Sequence, residues 1–351
     1  MNRSIFKKCS LKSDWLKSLY ELTPVESVSD GEHILLFKRE DFFAPLGYGG
    51  INGSKLRQAM YLFNRYTSDK KYVVGGMSVH SPQHLMMAVL SRYFGLKAID
   101  VIGNLTSDKA LKHPMIKGAN DWGAEFAISK GNYNSNLQKK CRDIISELGE
   151  ENSFYLEYGI TLGLHHTPEE ILEFHLIGAE QVKNIPDTVI DLVIAAGSCN
   201  SLTSVLLGLV LYPKKNLKHI HAIEVGPSKL DYVRRRLEMM GESLGRDLNV
   251  FSDLNCSDEA LFSLSESMYD FCYYPTFGSL WKYETEIPNS FGDIVFHPTY
   301  EGKVFEYLKT RLPQLMNENT LFWIVGSEPK LEVVNEFIDG EKNELTLYGG
   351  V

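Results

Sequence analysis

The sequence predicts an α/β protein built of two three-layer α/β/α domains with mostly parallel sheets. Short apolar segments alternate with helical patterns along most of the 351 residues, which is typical of parallel strands joined by helices. Several of these segments, such as residues 191–196, are apolar almost throughout, as strands buried on both faces are. With 44% hydrophobic residues, the chain can form sizeable cores, and its length fits one large or two moderate domains.

Each predicted element follows from the spacing of its apolar residues. In the first part of the chain we expect helix 14–22, strand 33–37, helix 55–66, strand 71–74, helix 82–94, strand 96–102, helix 109–117, strand 124–128, helix 134–148 and strand 154–156. In the second part we expect helix 168–183, strand 191–196, helix 205–211, strand 219–225, helix 229–240, a helix ending near residue 311 and strand 320–325. Residues 252–289 are rich in aromatic residues without a clear period. Boundaries near Gly49 and Tyr158 give a small domain of residues 49–158, inserted into a large domain of residues 1–48 and 159–351.

A glycine-rich turn that ends in a lysine leads into the helix predicted at 55–66. Residues 49–55 read Gly-Gly-Ile-Asn-Gly-Ser-Lys. The helix dipole disfavours a positive charge at a helix start, and a lowered lysine pKa is what an amine nucleophile needs at neutral pH. Taken alone, the segment fits a surface lysine in the first turn of an ordinary helix at least as well.

A second stretch, after the predicted strand 191–196, favours the interpretation of Lys55 as a reactive lysine. It is a run of small and hydroxyl residues that leads into an apolar helix, an arrangement whose backbone N–H groups and helix dipole bind phosphate. The residues expected to hold the phosphate are Gly197, Ser198, Cys199, Asn200, Ser201, Leu202 and Thr203. The spacing matches neither a Walker loop nor the dinucleotide fingerprint. A reactive Lys55 followed by a phosphate loop about a domain length later indicates pyridoxal 5'-phosphate (PLP), whose aldehyde forms a Schiff base with the lysine.

Charge and cysteine content limit the other functions. The formal net charge is -9 without a long basic run, so a nucleic-acid partner is not favoured, although a local basic groove is compatible with the sequence. No apolar stretch reaches membrane-spanning length. The five cysteines are scattered without a Cys-x-x-Cys pair, so we expect no disulfide framework and no metal site. A cytoplasmic enzyme acting on a small amino-acid-like substrate fits these features.

Four segments in order resemble the fold-type II PLP-dependent enzymes (tryptophan synthase β-like). The nearest branch is the one that holds 1-aminocyclopropane-1-carboxylate (ACC) deaminase and D-cysteine desulfhydrase. Residues 38–41 (Lys-Arg-Glu-Asp) are similar to an early family motif, and residues 52–57 (Asn-Gly-Ser-Lys-Leu-Arg) to the Schiff-base segment. Residues 197–203 fall on the phosphate loop, and residues 298–303 (Pro-Thr-Tyr-Glu-Gly-Lys) resemble a late motif.

The resemblance implies roles for individual residues. Lys55 would carry the cofactor, Tyr300 would lie beside its ring and donate a proton or a hydrogen bond, and Glu301 would pair with the pyridine nitrogen. Other interpretations remain open. Tyr300 also fits core packing, and Glu301 an acid at a helix start. Lys303 fits a solvated helix face, and the 38–41 cluster a solvated strand end. Homodimers are common in the family, so we expect one here.

Two departures from the family pattern concern the substrate loop and the phosphate loop. Where the family has Gly-Gly-x-x-Ser-Asn-His/Gln to hold the substrate carboxylate, residues 75–84 read Gly-Gly-Met-Ser-Val-His-Ser-Pro-Gln-His. Aligned from the following helix, Ser81 takes the place of the family serine and Pro82 that of the asparagine. Aligned from the glycines, Val79 and His80 take those places. Ser78, Ser81 and His80 are the candidate catalytic residues here, with His84 as a further acid–base candidate. The phosphate loop has a single glycine before Cys199, where the family usually has more.

The main functional hypothesis is a PLP-dependent deaminase or lyase that binds an amino acid or amine by exchanging Lys55 for the substrate amine in the imine. Lys55 would be the base, and Tyr300 or Ser81 the second proton carrier. One alternative is a decarboxylase or lyase acting on an unusual amino-acid conjugate such as a modified nucleobase, which aromatic residues of 252–289 could stack on. Another is a catalytically inactive relative retained as a binding protein.

Overall fold

The computed structural model describes residues 16–163, 165–246, 248, 260–263 (backbone only), 269–338, 340 and 342–349. The strands are β1 (Val25–Ser29), β2 (Ile34–Arg39), β3 (Tyr72–Gly76), β4 (Lys97–Ile102), β5 (Glu125–Ile128), β6 (Ser153–Leu156), β7 (Asp191–Ala196), β8 (His219–Glu224), β9 (Ala260–Ser263), β10 (Asp270–Tyr274), β11 (Ser290–Phe291), β12 (Ile294–Val295) and β13 (Thr320–Ile324). The α-helices are α1 (Gly53–Tyr66), α2 (Gln83–Phe94), α3 (Ser107–Ala110), α4 (Pro114–Asp121), α5 (Asn134–Leu148), α6 (Pro168–Ala179), α7 (Asn200–Leu211), α8 (Leu230–Leu244), α9 (Glu301–Arg311) and α10 (Leu331–Val334). The predicted α/β class with mostly parallel sheets is confirmed.

The chain divides into two compact units, each with its own sheet. The four-stranded unit comprises residues 16–19, 44–163 and the described part of 328–349, and the seven-stranded unit comprises residues 20–43 and the described part of 165–327. This division differs from the predicted domains at both ends, because residues 16–19 and 328–349 group with the smaller sheet. Backbone pairing explains the second difference, since Phe126 N on β5 donates to Thr346 O and Tyr348 N donates back to Phe126 O.

The sheet of the four-stranded unit is parallel throughout, in the order β5-β4-β3-β6. Its core lies between the sheet and α5, where Val74 of β3 and Val101 of β4 cluster with Leu137, Cys141 and Ile144 of the helix. The predicted helix 134–148 has the same bounds in the structure because its apolar residues recur at helical spacing. Burial raises the pKa of the Cys141 thiol to about 12, so this cysteine acts as a small apolar core residue.

The sheet of the seven-stranded unit has the order β1-β2-β13-β7-β8-β10-β9. The five inner strands are parallel, and β1 and β9 pair antiparallel at the two edges. On one face, Phe37 of β2 and Phe322 of β13 pack against Phe296 and Phe305, with Val193 of β7 in the same core. The sequence pattern missed β1, whose residues are mostly half-buried or exposed.

The polar segment Lys38 to Asp41 is buried, which corrects the expectation of a solvated strand end. All four side chains are at most 2% exposed. Arg39 makes a bidentate salt bridge to Asp41, with Nε–Oδ1 and Nη2–Oδ2 distances of 2.9 and 2.7 Å. Its Nη1 donates to Glu26 Oε2. Lys38 Nζ donates to Thr23 O at 2.7 Å. Burial raises the pKa of Asp41, while the Arg39 guanidinium opposes that shift. These contacts tie the end of β2 to the segment before β1.

Parts of two sequence predictions lie outside the described residues. Only residues 16–22 of the predicted helix 14–22 are described, and they include a 3₁₀ turn at Ser18–Tyr20. Residues 252–259 and 264–268 of the aromatic segment are likewise outside. Among the helices that the structure describes, none is long and apolar enough to cross a membrane.

We predict that Arg39→Ala lowers the free energy of unfolding by about 3 kcal/mol, because Asp41 would stay buried without its ionic partner. Urea unfolding followed by circular dichroism measures this loss. Lys183→Ala is the matched control, since it removes an exposed lysine that pairs with Glu180 on the surface of the same unit. An Arg39→Ala protein as stable as the control would contradict the assignment of this ion pair.

Candidate active site

Each of the two sheets has a point where the strand order reverses, and the predicted loops follow the strands at those points. From β7 the chain passes through α7 to β8 on one side, and it later places β13 on the other side of β7. In the smaller sheet, β3 leads through α2 to β4 on one side, and β6 is added on the other. Open α/β sheets bind ligands outside the carboxyl ends of the strands at such a reversal. The loops after β7 and β13 in one unit, and after β3 and β6 in the other, are therefore the expected ligand-binding loops.

The loop after β7 turns directly into α7, which begins at Asn200, five residues before the predicted start. Cys199 immediately precedes the helix with φ +63°, in the left-handed region that favours glycine. Thr203 N and Oγ1 each donate to Cys199 O at 2.8 Å, and the Tyr232 hydroxyl on α8 donates to Asn200 Oδ1. The first N–H groups of a helix lack intrahelical acceptors and lie at its positive end. The geometry of the loop therefore suits an anion.

The predicted phosphate-binding residues differ in their burial. Gly197 and Ser198 are half-buried, whereas Cys199, Asn200, Ser201, Leu202 and Thr203 are buried. Leu202 is 0% exposed and apolar, so only its backbone can contact a phosphate. The other residues offer backbone N–H groups, hydroxyl groups or both.

Glu301 is the first residue of α9 and is 2% exposed. Its Oε1 accepts a hydrogen bond from Val325 N at 3.0 Å, just past the end of β13. Its Oε2 is buried and has no hydrogen-bond partner among the described residues. Burial, with a smaller contribution from the charge of Asp41, raises the pKa of Glu301 to about 7, although backbone hydrogen bonds oppose the shift. A carboxyl group in this state suits a ligand that supplies an N–H donor or a positive charge.

Tyr300 and Tyr283 form a hydroxyl pair beside Glu301, with 2.6 Å between their oxygens. Lys303 donates to the carbonyl oxygens of Lys282 and Tyr283 at 2.9 Å each and so holds the segment that carries Tyr283. Lys303 is 0% exposed, and burial lowers its pKa to about 8. The alternative that placed Lys303 on a solvated helix face is therefore wrong. Tyr283 belongs to the aromatic segment 252–289, and its contact with Tyr300 was not predicted. The polar pairing between the two tyrosines also argues against pure core packing for Tyr300.

Lys55 lies in the four-stranded unit, in the first turn of α1, and its side chain is half-buried. The helix starts at Gly53, whose φ of +91° is accessible to glycine and strained for other residues. The Asn52 side chain donates to Gly50 O at 2.7 Å and fixes the turn before it. Conformational constraints thus account for the glycine and asparagine that precede the lysine.

The loop after β3 carries Ser78, His80 and Ser81 and bonds mainly to itself. Ser81 N donates to Ser78 O at 2.8 Å, and Ser81 Oγ accepts from Gln83 N at 3.3 Å. Gln83 also bridges to the loop after β6, where Gly159 N donates to Gln83 Oε1 at 2.9 Å. Ser78 and His80 are half-buried and Ser81 is buried.

His84 holds this loop in place through hydrogen bonds from its ring, and these bonds leave neither ring nitrogen available for acid–base catalysis. It is 0% exposed, with Nδ1 2.6 Å from Asp100 Oδ2 and Nε2 2.9 Å from Ser78 O. An imidazole held between a carboxylate and a carbonyl has both nitrogens occupied. Of the two histidines proposed from the sequence, His80 is the one that is partly exposed, with its ring 5.4 Å from that of His113.

Comparison with known proteins decides the family. The chain is 38% identical over 373 aligned residues to the O-seryl-dTMP PLP-dependent decarboxylase of Salmonella phage ViI, across 94% of this chain and 88% of the relative. The chain belongs to the fold-type II PLP-dependent enzymes. No family model matches it.

Solved structures agree on the fold. A structure of an ACC deaminase homologue superposes with a TM-score of 0.62 at 19% identity, over 91% of this chain and 95% of that one. The apo form of Escherichia coli diaminopropionate ammonia lyase gives 0.51 at 12% identity, over 96% of this chain and 94% of that one. The phage relative confirms the predicted family, enzyme class and PLP cofactor, and the solved structures confirm the fold.

The residues of the seven-stranded unit fit PLP. Glu301 Oε2, buried without a protein partner among the described residues, suits the protonated nitrogen of a pyridine ring. The N-terminus of α7, with the hydroxyl group of Ser201 in its first turn, suits a phosphate. Both features lie at the reversal between β7 and β13. The fit therefore rests on an orphaned acceptor and on a helix terminus.

We predict that Cys199→Gly is about 1 kcal/mol more stable than Cys199→Ala, because glycine adopts the left-handed conformation without the steric cost that a Cβ brings. Both variants remove the thiol, so their difference isolates the backbone term. Chemical unfolding of the two proteins measures it. Equal stabilities would show that residue 199 is not held at positive φ.

We predict that the cofactor-free protein loses stability as the pH rises from about 4.5 to 7. Glu301 has a higher pKa folded than its ordinary value of 4.5, so the folded state binds the proton more tightly across that window. A shift of about 2.5 pKa units corresponds to ~3 kcal/mol. Glu301→Gln lacks this proton, and its free energy of unfolding should fall by that much less over the same range. Parallel pH profiles for the two proteins would refute the assignment to Glu301.

Proposed function

We propose that this chain is a PLP-dependent decarboxylase acting on an O-linked serine carried by a nucleotide. The observation that carries the proposal is the 38% identity, over 94% of the chain, to a relative that bears the name O-seryl-dTMP PLP-dependent decarboxylase. The alternative drawn from the altered substrate loop, a decarboxylase on an amino-acid conjugate, is the same class of reaction.

The proposed roles follow the resemblance and the geometry within each unit. Lys55 would hold the cofactor aldehyde, residues 197–203 the phosphate, and Glu301 the pyridine nitrogen. When bound, PLP supplies an electron sink for the pair released at the amino carbon. The amine of Lys55 and the Tyr300 hydroxyl are the proposed proton carriers, and the 2.6 Å contact with Tyr283 would orient Tyr300.

The loop of residues 78–84 supports loss of the carboxylate rather than its retention. Ser81 N and Gln83 N, two of its donors, bond within the loop, and Pro82 has no N–H to offer. A deaminase must bind the substrate carboxylate throughout the reaction. A decarboxylase reacts faster when the substrate carboxylate is poorly solvated before its carbon–carbon bond breaks. The negative charge leaves the carboxylate in the transition state, so poor solvation destabilises the ground state more than the transition state. The lack of available backbone donors at residues 81–83 therefore favours decarboxylation.

The overall change balances without a further reactant. The bond between the amino carbon and the carboxylate breaks, carbon dioxide leaves, and a proton takes its place on that carbon. The serine residue becomes an O-linked 2-aminoethyl group that keeps its amine. Ser78, Ser81 and His80 remain proposed contacts to the substrate.

The described aromatic residues of the 252–289 segment offer little room for base stacking. Phe271, Tyr273, Tyr274 and Trp281 are buried at 0–8% exposure and belong to the core. Among these aromatic residues, Phe277 and Tyr283 are half-buried.

We propose that the protein is a homodimer located in the cytoplasm. We also propose that it acts on a small-molecule nucleotide rather than on a nucleic acid, because the net charge of -9 does not favour a polyanion.

Deamination or elimination is the second candidate, because Glu301 matches the carboxylate of the deaminase branch. The two outcomes leave different products. Decarboxylation releases carbon dioxide and leaves the amine on the product, whereas deamination and elimination release ammonia or the β-substituent.

We predict that the purified protein loaded with PLP is yellow and converts O-seryl-dTMP to a product smaller by one carbon dioxide, as mass spectrometry and trapped carbon dioxide would show. Lys55→Ala should lose the colour and the activity. Tyr300→Phe, the matched variant, should keep the colour and react about 10²–10⁴-fold more slowly. Ammonia released without carbon dioxide would favour the second candidate. A protein that stays colourless with added PLP would overturn both.

A further inference from the structure

Four ionisable side chains lie close together at the amino ends of inner strands of the seven-stranded sheet, opposite the strand ends that carry the candidate active site. Asp191, His219 and Asp270 are the first residues of β7, β8 and β10, and the parallel registers place them side by side on adjacent strands. His221 lies two residues after His219, so both imidazoles project from the same face of β8. The topology thus brings two histidines and an aspartate to one place.

The donor atoms are spaced as ligands of one ion are. Asp191 Oδ1 lies 2.9 Å from His219 Nδ1 and 3.1 Å from His221 Nε2. One ligand atom from each of the three residues lies within 4.8 Å of the others. A tetrahedral zinc ion with bonds of ~2.0–2.1 Å holds neighbouring ligand atoms roughly 3.3 Å apart. Small side-chain movements would therefore admit the ion between them.

Two further features suit a metal site. His221 Nδ1 lies 3.0 Å from the Tyr274 hydroxyl, which fixes the ring so that Nε2 faces Asp191. Metal-bound histidines usually have such a partner on the second ring nitrogen. The cluster is also open on one side, since the side chains of His219 and Asp270 are 37% and 57% exposed. An ion can enter from solvent, and Asp270 Oδ2, 3.9 Å from His219 Nε2, is close enough to add an outer contact.

From this geometry we propose that Asp191, His219 and His221 form a binding site for a divalent transition-metal ion, with zinc as the preferred occupant. Two imidazoles and one carboxylate are a ligand set that zinc accepts, with water completing the tetrahedron. The ion would bridge β7 and β8 at the edge away from the PLP site. The proposal concerns structure and ion binding, and it does not depend on the reaction that the enzyme catalyses.

The test is zinc titration of the PLP-loaded, chelator-treated protein by calorimetry, with cobalt absorption as a report on coordination geometry. We expect one ion per chain at this cluster. Tyr274→Phe should weaken binding by about 10–100-fold, as loss of a histidine's supporting hydrogen bond does. His219→Ala and Asp191→Asn remove a ligand and should weaken it more. Turnover of the substrate should not change in His219→Ala.

The matched control is His33→Ala. His33 also lies beside an aspartate, Asp30, on the surface of the same unit, with 3.9 Å between Nδ1 and Oδ1. Its loss should leave zinc affinity unchanged. The proposal is overturned if wild-type protein binds no zinc, or if His219→Ala and Asp191→Asn bind it as tightly as wild type. The cluster would then be a hydrogen-bonded Asp–His network only.

Discussion

The buried carboxyl group of Glu301 determines what a ligand must supply at the carboxyl ends of the parallel strands in the seven-stranded sheet. A carboxylate removed from water is costly unless charges or hydrogen bonds compensate it. The backbone after β13 compensates one oxygen, and the second has no protein partner within the described residues. Under the proposed function, a protonated pyridine nitrogen would supply the missing partner, and an ionised Glu301 would keep that nitrogen protonated. The cofactor would then stabilise the charge on Glu301 as well as supply the chemistry, because burial raises the pKa of this carboxyl group to about 7.

Hydrogen-bond donors are distributed differently in the two loops that follow β7 and β3. At the start of α7, N–H groups of the first helical turn would bind an anion that stays in place through the reaction, the cofactor phosphate. In the 78–84 loop, Ser81 N and Gln83 N bond to the loop itself, His84 is held between Asp100 and Ser78, and Pro82 offers no donor. A phosphate that is retained needs donors, whereas a carboxylate that leaves is activated by their scarcity. Under the proposed function, the different fates of the two anions would account for the engaged backbone donors at residues 81–83.

Much of this could be predicted from the sequence, because strands buried on both faces and amphipathic helices leave clear periods. The bounds of β7 and α5 agree with the prediction. The start of α7 was missed because residues 200–204 are mostly polar and resemble a loop, although they form the first turn of a helix. The burial of Lys38 and Lys303 could not be predicted either. Both lysines read as solvated, and their burial depends on carbonyl oxygens of Thr23 and Tyr283 that only the fold brings near.

The cluster of Asp191, His219 and His221 could not be predicted from the sequence for a related reason. Cysteine spacing indicates no metal site in this chain, and His-x-His on a strand forms a metal site only when a neighbouring strand supplies a third ligand. That group is Asp191, 28 residues from His219 in sequence. β7 begins at Asp191 and ends at the phosphate loop, and β8 begins at His219 and ends at Glu224, which accepts hydrogen bonds from Tyr273 and Phe277. An ion joining the first residues of these strands would resist their sliding past each other, which is the motion that would misalign the loops at their far ends. Stability at one edge and precise geometry at the other would then have a common origin in the pairing of two strands.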